Sequence, residues 1–147
     1  LNTMNVTSEN ILAYNTNLDN LMVSLKVKNK VNSAICLANM YSLIPKYTNE
    51  ISSDTAKSKL ENVKSNIIFA YSIVETDRWD DVLKLLGQAE TDLTELMTMK
   101  ESLSTMRKPK INKAYVLLKE LIKSSNDKNV DIFYLKYINL IEELDNL

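Results

Sequence analysis

The chain has 147 residues, 45% of them hydrophobic and 25% charged, with 18 basic and 19 acidic side chains. That is the composition of an ordinary folded domain, and a net charge of −1 supplies no broad positive field for nucleic acid. One glycine and two prolines leave little material for tight turns, which disfavours an all-β fold or a glycine-rich phosphate loop, and the absence of histidine removes the commonest general base and metal ligand.

Apolar residues recur along the chain at alternating steps of three and four, the spacing that lines one face of a helix. The first stripe is Ile11, Tyr14, Leu18, Leu21 and Leu25, and the second, in a different phase, is Val31, Ala34, Ala38 and Tyr41. Ala56, Leu60, Val63, Ile67, Ala70 and Val74 form the third. The fourth runs through Trp79, Val82, Leu86, Ala89, Leu93 and Leu96, is broken by Lys100 and resumes at Leu103. Ile111, Ala114, Leu118 and Leu121 make the fifth, and Val130, Phe133, Tyr137, Leu140, Leu144 and Leu147 the sixth. No stretch sustains two-residue alternation, so the expected fold is all-α.

Two breaks contain proline, Pro45 and Pro109, and Pro109 suits the first turn of a new helix. The other breaks are short and polar: Lys28-Asn29-Lys30, Thr76-Asp77-Arg78, and Ser124 to Asn129. Short connections favour antiparallel neighbours, so the chain parses as a single domain, an antiparallel bundle of about three αα-hairpins near 8–44, 53–105 and 109–146. The polar breaks recur about every 50 residues, which suits a helical-hairpin repeat, although the three units share few residue identities. At the first break nothing stops a helix except the change of stripe phase. A helix running through would give a bundle of about four long helices kinked near Asn29. The expected core holds Leu21, Leu25, Ala38, Leu60, Ile67, Ala70, Leu86, Leu93, Leu118, Tyr137 and Leu140.

The densest charge lies in Glu75-Thr76-Asp77-Arg78-Trp79-Asp80-Asp81. Several carboxylates could hold a hard cation, but the glycine and distal glutamate of a calcium loop are missing. Asp77 as N-cap, with Asp80 and Asp81 in the first turn, accounts for the cluster as a helix start. Met97, Met99 and Met106 offer soft thioethers for copper, and read more simply as core filler. Glu142 and Glu143 are adjacent and so point apart on a helix, unlike a hydrolytic carboxylate pair. Arg107, Lys108, Lys110 and Lys113 form a small basic patch, read as a solvated helix start. Cys36, alone between Ile35 and Leu37, reads as a buried and unreactive thiol. Gly87, inside the fourth helix, suggests a close helix approach or a bend.

Ala38-Asn39, then Leu43-Ile44-Pro45-Lys46-Tyr47, Asp77-Arg78-Trp79-Asp80 and the closing Leu140 to Leu147 resemble uncharacterised lipoproteins of clostridia-like bacteria, over residues 34–147. The resemblance implies an exported helical domain tethered by an N-terminal lipid, the only membrane link expected. The chain opens at Leu1 rather than Met, so it reads as a processed or trimmed piece, and the lipid-bearing cysteine would precede it. The family brings no activity or catalytic residues. The expectation is a non-enzymatic extracytoplasmic helical domain that binds a protein partner or small ligand, with no catalytic, cofactor or metal residues assigned. Its tyrosines (Tyr14, Tyr41, Tyr47, Tyr71, Tyr115, Tyr134, Tyr137) are candidates to line a groove. The alternatives are a metal-handling protein using the acidic turn or the methionines, and a carboxylate-based enzyme with an unrecognised site.

Overall fold

A computed structural model of the chain describes residues 7–46, 55–99 and 108–147. Among them every regular element is helical: α1 (Ser8–Lys26), α2 (Lys30–Tyr41), α3 (Thr55–Ile73), α4 (Trp79–Thr98), α5 (Lys108–Asn126) and α6 (Val130–Asp145), with a short 3-10 turn at Val74–Thr76. The all-α, six-helix reading holds. Residues 43–46 add a helical turn after α2 that contains Pro45, and Pro109 lies in the first turn of α5. The resumption of the fourth stripe at Leu103 falls outside the described residues.

The helix breaks near Asn29. Lys28 adopts a left-handed conformation (φ 54°), and its N–H reaches Leu25 O at 3.1 Å while Asn29 N reaches Ser24 O at 2.9 Å. Those two bonds satisfy the last carbonyls of α1 as a Schellman closure. Asn29 then caps α2, its side chain accepting from Asn32 N at 3.0 Å. The same construction recurs at Lys128 (φ 52°) and Asn129 between α5 and α6.

The second hairpin turns differently, and Asp77 is not its cap. The 3-10 turn prolongs α3, and Asp77 closes it in the left-handed region (φ 59°), a conformation that aspartate tolerates better than most residues. Helix α4 therefore starts from Arg78, which makes no side-chain cap bond. Its guanidinium pairs instead with Asp81 (Nη2 to Oδ2 2.6 Å). Asp80 and Asp81 do occupy the first turn, as expected.

One continuous core joins α3 to α6. Ile67, Ala70, Leu86, Leu93, Leu118 and Leu140 are fully buried there, and Leu60 and Tyr137 pack against its margin. Helices α3–α4, α4–α5 and α5–α6 pack in sequence and α3 closes on α6, which makes a four-helix bundle. No buried residue of α1 or α2 belongs to that core. Leu21 and Ala38 are buried apart from it, where α1 lies on α2 and α2 on α3. Leu25 is 58% exposed, contrary to the stripe. The buried seam of α1 runs from Leu21 to Ser24, and one residue further round a helix is about 100° away.

Candidate functional site

Helix α3 has two working faces. Val63, Ile67, Ala70 and the following Val74 enter the core. Turned from it by one residue, Glu61, Lys64, Ile68, Tyr71 and Glu75 repeat at steps of three and four and so share a second face. Helices α2 and α6 flank this second face, both antiparallel to α3, as the cross-links at each end record.

At one end Lys30 of α2 donates to Glu75 Oε1 at 2.8 Å, and the Tyr134 hydroxyl of α6 donates to the same oxygen. At the other end the Tyr41 hydroxyl of α2 donates to Glu61 Oε2 at 3.1 Å. There Lys64 lies 3.1 Å from Glu61 and 3.5 Å from Asp145 of α6. Between the two networks lies an apolar groove of ≈670 Å³, a volume within the usual range of ligand sites. Ala34, Leu37 and Ala38 form one wall, Ile68 and Tyr71 the floor, and Tyr137 the other wall, with Leu25 and Lys28 at the mouth near the α1–α2 turn. Tyr71 stacks on Tyr137 (centroids 4.4 Å, 14° between planes) and tilts against Tyr134 at 5.5 Å.

Burial, with neighbouring Tyr71 and Asp145 adding to it, pushes the Tyr137 phenol up to about 12. Burial is also the leading cause of the upward displacement of Tyr41 and Tyr134, reinforced by Glu61 and Glu75 respectively. The hydrogen bond from Lys30, then that from Tyr134, holds the Glu75 carboxyl below its ordinary value. All three phenols therefore stay protonated hydrogen-bond donors at neutral pH.

Of the tyrosines singled out from sequence, Tyr41, Tyr71 and Tyr137 meet in the groove and Tyr134 at its edge. Tyr115 lies elsewhere, sharing Glu90 with Lys119; Tyr14 is half-buried on α1, and Tyr47 lies outside the described residues. The acidic turn does not converge: Glu75 serves the groove network, Arg78 holds Asp81, and Asp77 and Asp80 are exposed. Among the described residues no three His, Cys, Asp or Glu side chains come together as a metal set. Met97 and Met99 pack against the core, while Met106 and Arg107 lie outside the described residues. Glu143 pairs with Lys113 at 2.6 Å, and Lys110 reaches Asn146 O at 3.2 Å, so part of the basic patch tethers α5 to α6. Glu142 is exposed and Lys108 is exposed. Cys36 is buried. Gly87 is exposed, and a Cβ added there would meet nothing within 4 Å, so it marks no close approach.

Sequence reasoning missed Leu37, Ile68, Lys28 and the Glu61–Lys64–Asp145 network. The signal available was the second stripe on α3, which mixes charge with apolar residues and so does not stand out as a face. Comparison of the chain with protein-family models, curated proteins and solved structures yields no match.

Proposed function

We propose that the protein is a non-enzymatic binding domain and that the groove between α2, α3 and α6 is where it takes its ligand. The observation that carries this reading is an open apolar groove floored by Ile68 and Tyr71 and flanked by Tyr137, in a chain whose bundle core is already closed without it. Water in such a groove is displaced favourably, at about 25 cal/mol per Å² of apolar surface covered. The ion pairs at both ends fix the spacing of the walls, so the site needs little ordering on binding. The likeness to clostridial lipoproteins supports an extracytoplasmic location with a lipid tether on the N-terminal side. No helix among the described residues is long and apolar enough to cross a membrane.

An uncharged solvatochromic dye tests the site. Saturable binding with a blue-shifted emission is expected for the parent protein. Ala34→Trp, which fills the groove from its α2 wall, should abolish it while leaving the melting temperature within a few degrees. Equal dye binding by Ala34→Trp and parent would place the apolar site elsewhere and refute the assignment.

A further inference from the structure

The groove's rim offers cationic and hydroxyl donors at one end. Asn29 Oδ1 there already takes Asn32 N–H, and Glu75 and Glu61 take the donors described above. The donors are less committed. Among the described residues the Lys28 ammonium makes no ion pair and the Tyr71 and Tyr137 hydroxyls make no protein hydrogen bond; since no buried side-chain polar atom is left unpartnered, those two hydroxyls open to the groove's solvent. The ends also differ in charge. At the α1–α2 turn Lys30 and Glu75 cancel and leave Lys28 as a net positive charge. At the far end, among the described residues, Glu61 and Asp145 both pair with Lys64, two carboxylates to one ammonium.

Resting on the groove reading above, we propose that the ligand is an apolar, acyl-like molecule ending in a carboxylate, bound with its head at Lys28 and its tail directed toward Tyr41. Attraction at one mouth and repulsion at the other select the same orientation. The left-handed Lys28 backbone, held by the Schellman bonds, fixes where that ammonium stem leaves the chain. From Lys64 to Glu75 the helix rises about 16 Å, which sets the length of tail the groove can cover. An alkylammonium would meet Lys28 as a like charge, whereas a carboxylate accepts from it.

The test is displacement of the uncharged dye by dodecanoate, dodecanol and dodecylamine, each below its micelle concentration. Dodecanoate should displace at about five- to tenfold lower concentration than dodecanol, with dodecylamine weakest, and added salt should narrow the gap. Lys28→Gln should bring dodecanoate down to the level of dodecanol without changing dodecanol, and Lys28→Arg should retain the preference. Equal displacement by all three, or a preference that survives Lys28→Gln, overturns the carboxylate assignment while the dye result still supports the groove. Failure of the dye to bind, or its indifference to Ala34→Trp, overturns the groove itself. Light scattering covers the other occupant: a parent dimer that Ala34→Trp converts to monomer would show a second copy filling the groove and overturn the proposal.

Discussion

Asn29 and Asn129 each do the work that sequence assigned to Asp77. Their side chains accept from N–H groups three residues on, at 3.0 Å in both cases, and each follows a lysine held left-handed. Replacing either by alanine should cost about 0.5–2 kcal/mol, read from urea midpoints. Asp77→Asn, which keeps the tolerance for the left-handed region, should lose less than either, because the Asp77 side chain caps no helix. Asp77→Gly should stabilise, since glycine enters the left-handed region without a Cβ penalty. Gly87→Ala should also stabilise, by about 0.5–1 kcal/mol, because the added methyl meets nothing and the unfolded chain loses freedom. A destabilised Gly87→Ala would point instead to a bend of the helix at this glycine. The Asp77 error has a physical source. Composition reveals which residues can cap, whereas a 3-10 turn over Val74–Thr76, with Ile73 and Val74 buried, carries the helix start past Asp77.

At the level of elements, the four-helix bundle and the α1–α2 hairpin have different claims on stability. Ile67 and Leu118 are fully buried in the shared core, so truncation of either to alanine should cost about 2–5 kcal/mol and lower the melting of the whole bundle. Among the described residues α2 is the one element against which α1 packs at length, and Leu12, Val23, Leu25 and Val27 remain exposed on it. Amide hydrogen exchange should therefore find α1 opening at lower free energy than α3 to α6, with Leu21→Ala weakening α1 and leaving the bundle's slowest amides unchanged. Uniform protection from α1 to α6 would mean that the hairpin and bundle unfold as one. The helices themselves were legible in the sequence, because burial on one face imposes a period of 3.6 that the order of apolar residues preserves. Which hairpin joins the main core was not legible, since the stripe on α1 looks as apolar as that on α5. The groove was legible only as a supply of tyrosines. Tyr41 and Tyr115 each bond a glutamate, and only the packing of α2 and α6 on α3 puts Tyr41 at the groove, while Tyr115 bonds Glu90 between α4 and α5.

For the molecule as a whole, the groove exists because polar links at both its ends span three helices, and phenol hydroxyls are donors in both. Tyr134 ties α6 to Glu75, and Tyr41 ties α2 to Glu61. Once ionised, each would lose its donor proton and stand as an anion against a carboxylate. That is why both phenols are displaced upward, after burial, by those same glutamates. Tyr137 rises to about 12 for want of solvent in the groove wall. The folded values thus lie above the ordinary value of 10.0, so protons are held more tightly in the native state. The stability this confers is fully present below pH 10 and is lost as pH rises through each phenol's folded value, about 12 for Tyr137 and higher for Tyr41 and Tyr134. In the acid range the sign reverses for Glu75 and Glu90, whose carboxyls are held low, Glu75 first by Lys30 and Glu90 first by Lys119. Their contribution is present above the ordinary carboxylate value of 4.5 and is lost as pH falls through their folded values. Urea midpoints followed from neutral pH upward should fall beyond pH 10. Phenolate absorbance of the native protein should show a late-titrating fraction that becomes ordinary in denaturant. Tyr134→Phe should remove one late phenol and reduce the alkaline loss, because phenylalanine brings no proton to lose. If every tyrosine of the native protein titrates near pH 10 with no change in urea midpoint, the hydroxyls do not clasp the three helices and the groove's walls are held by packing and the lysine ion pairs.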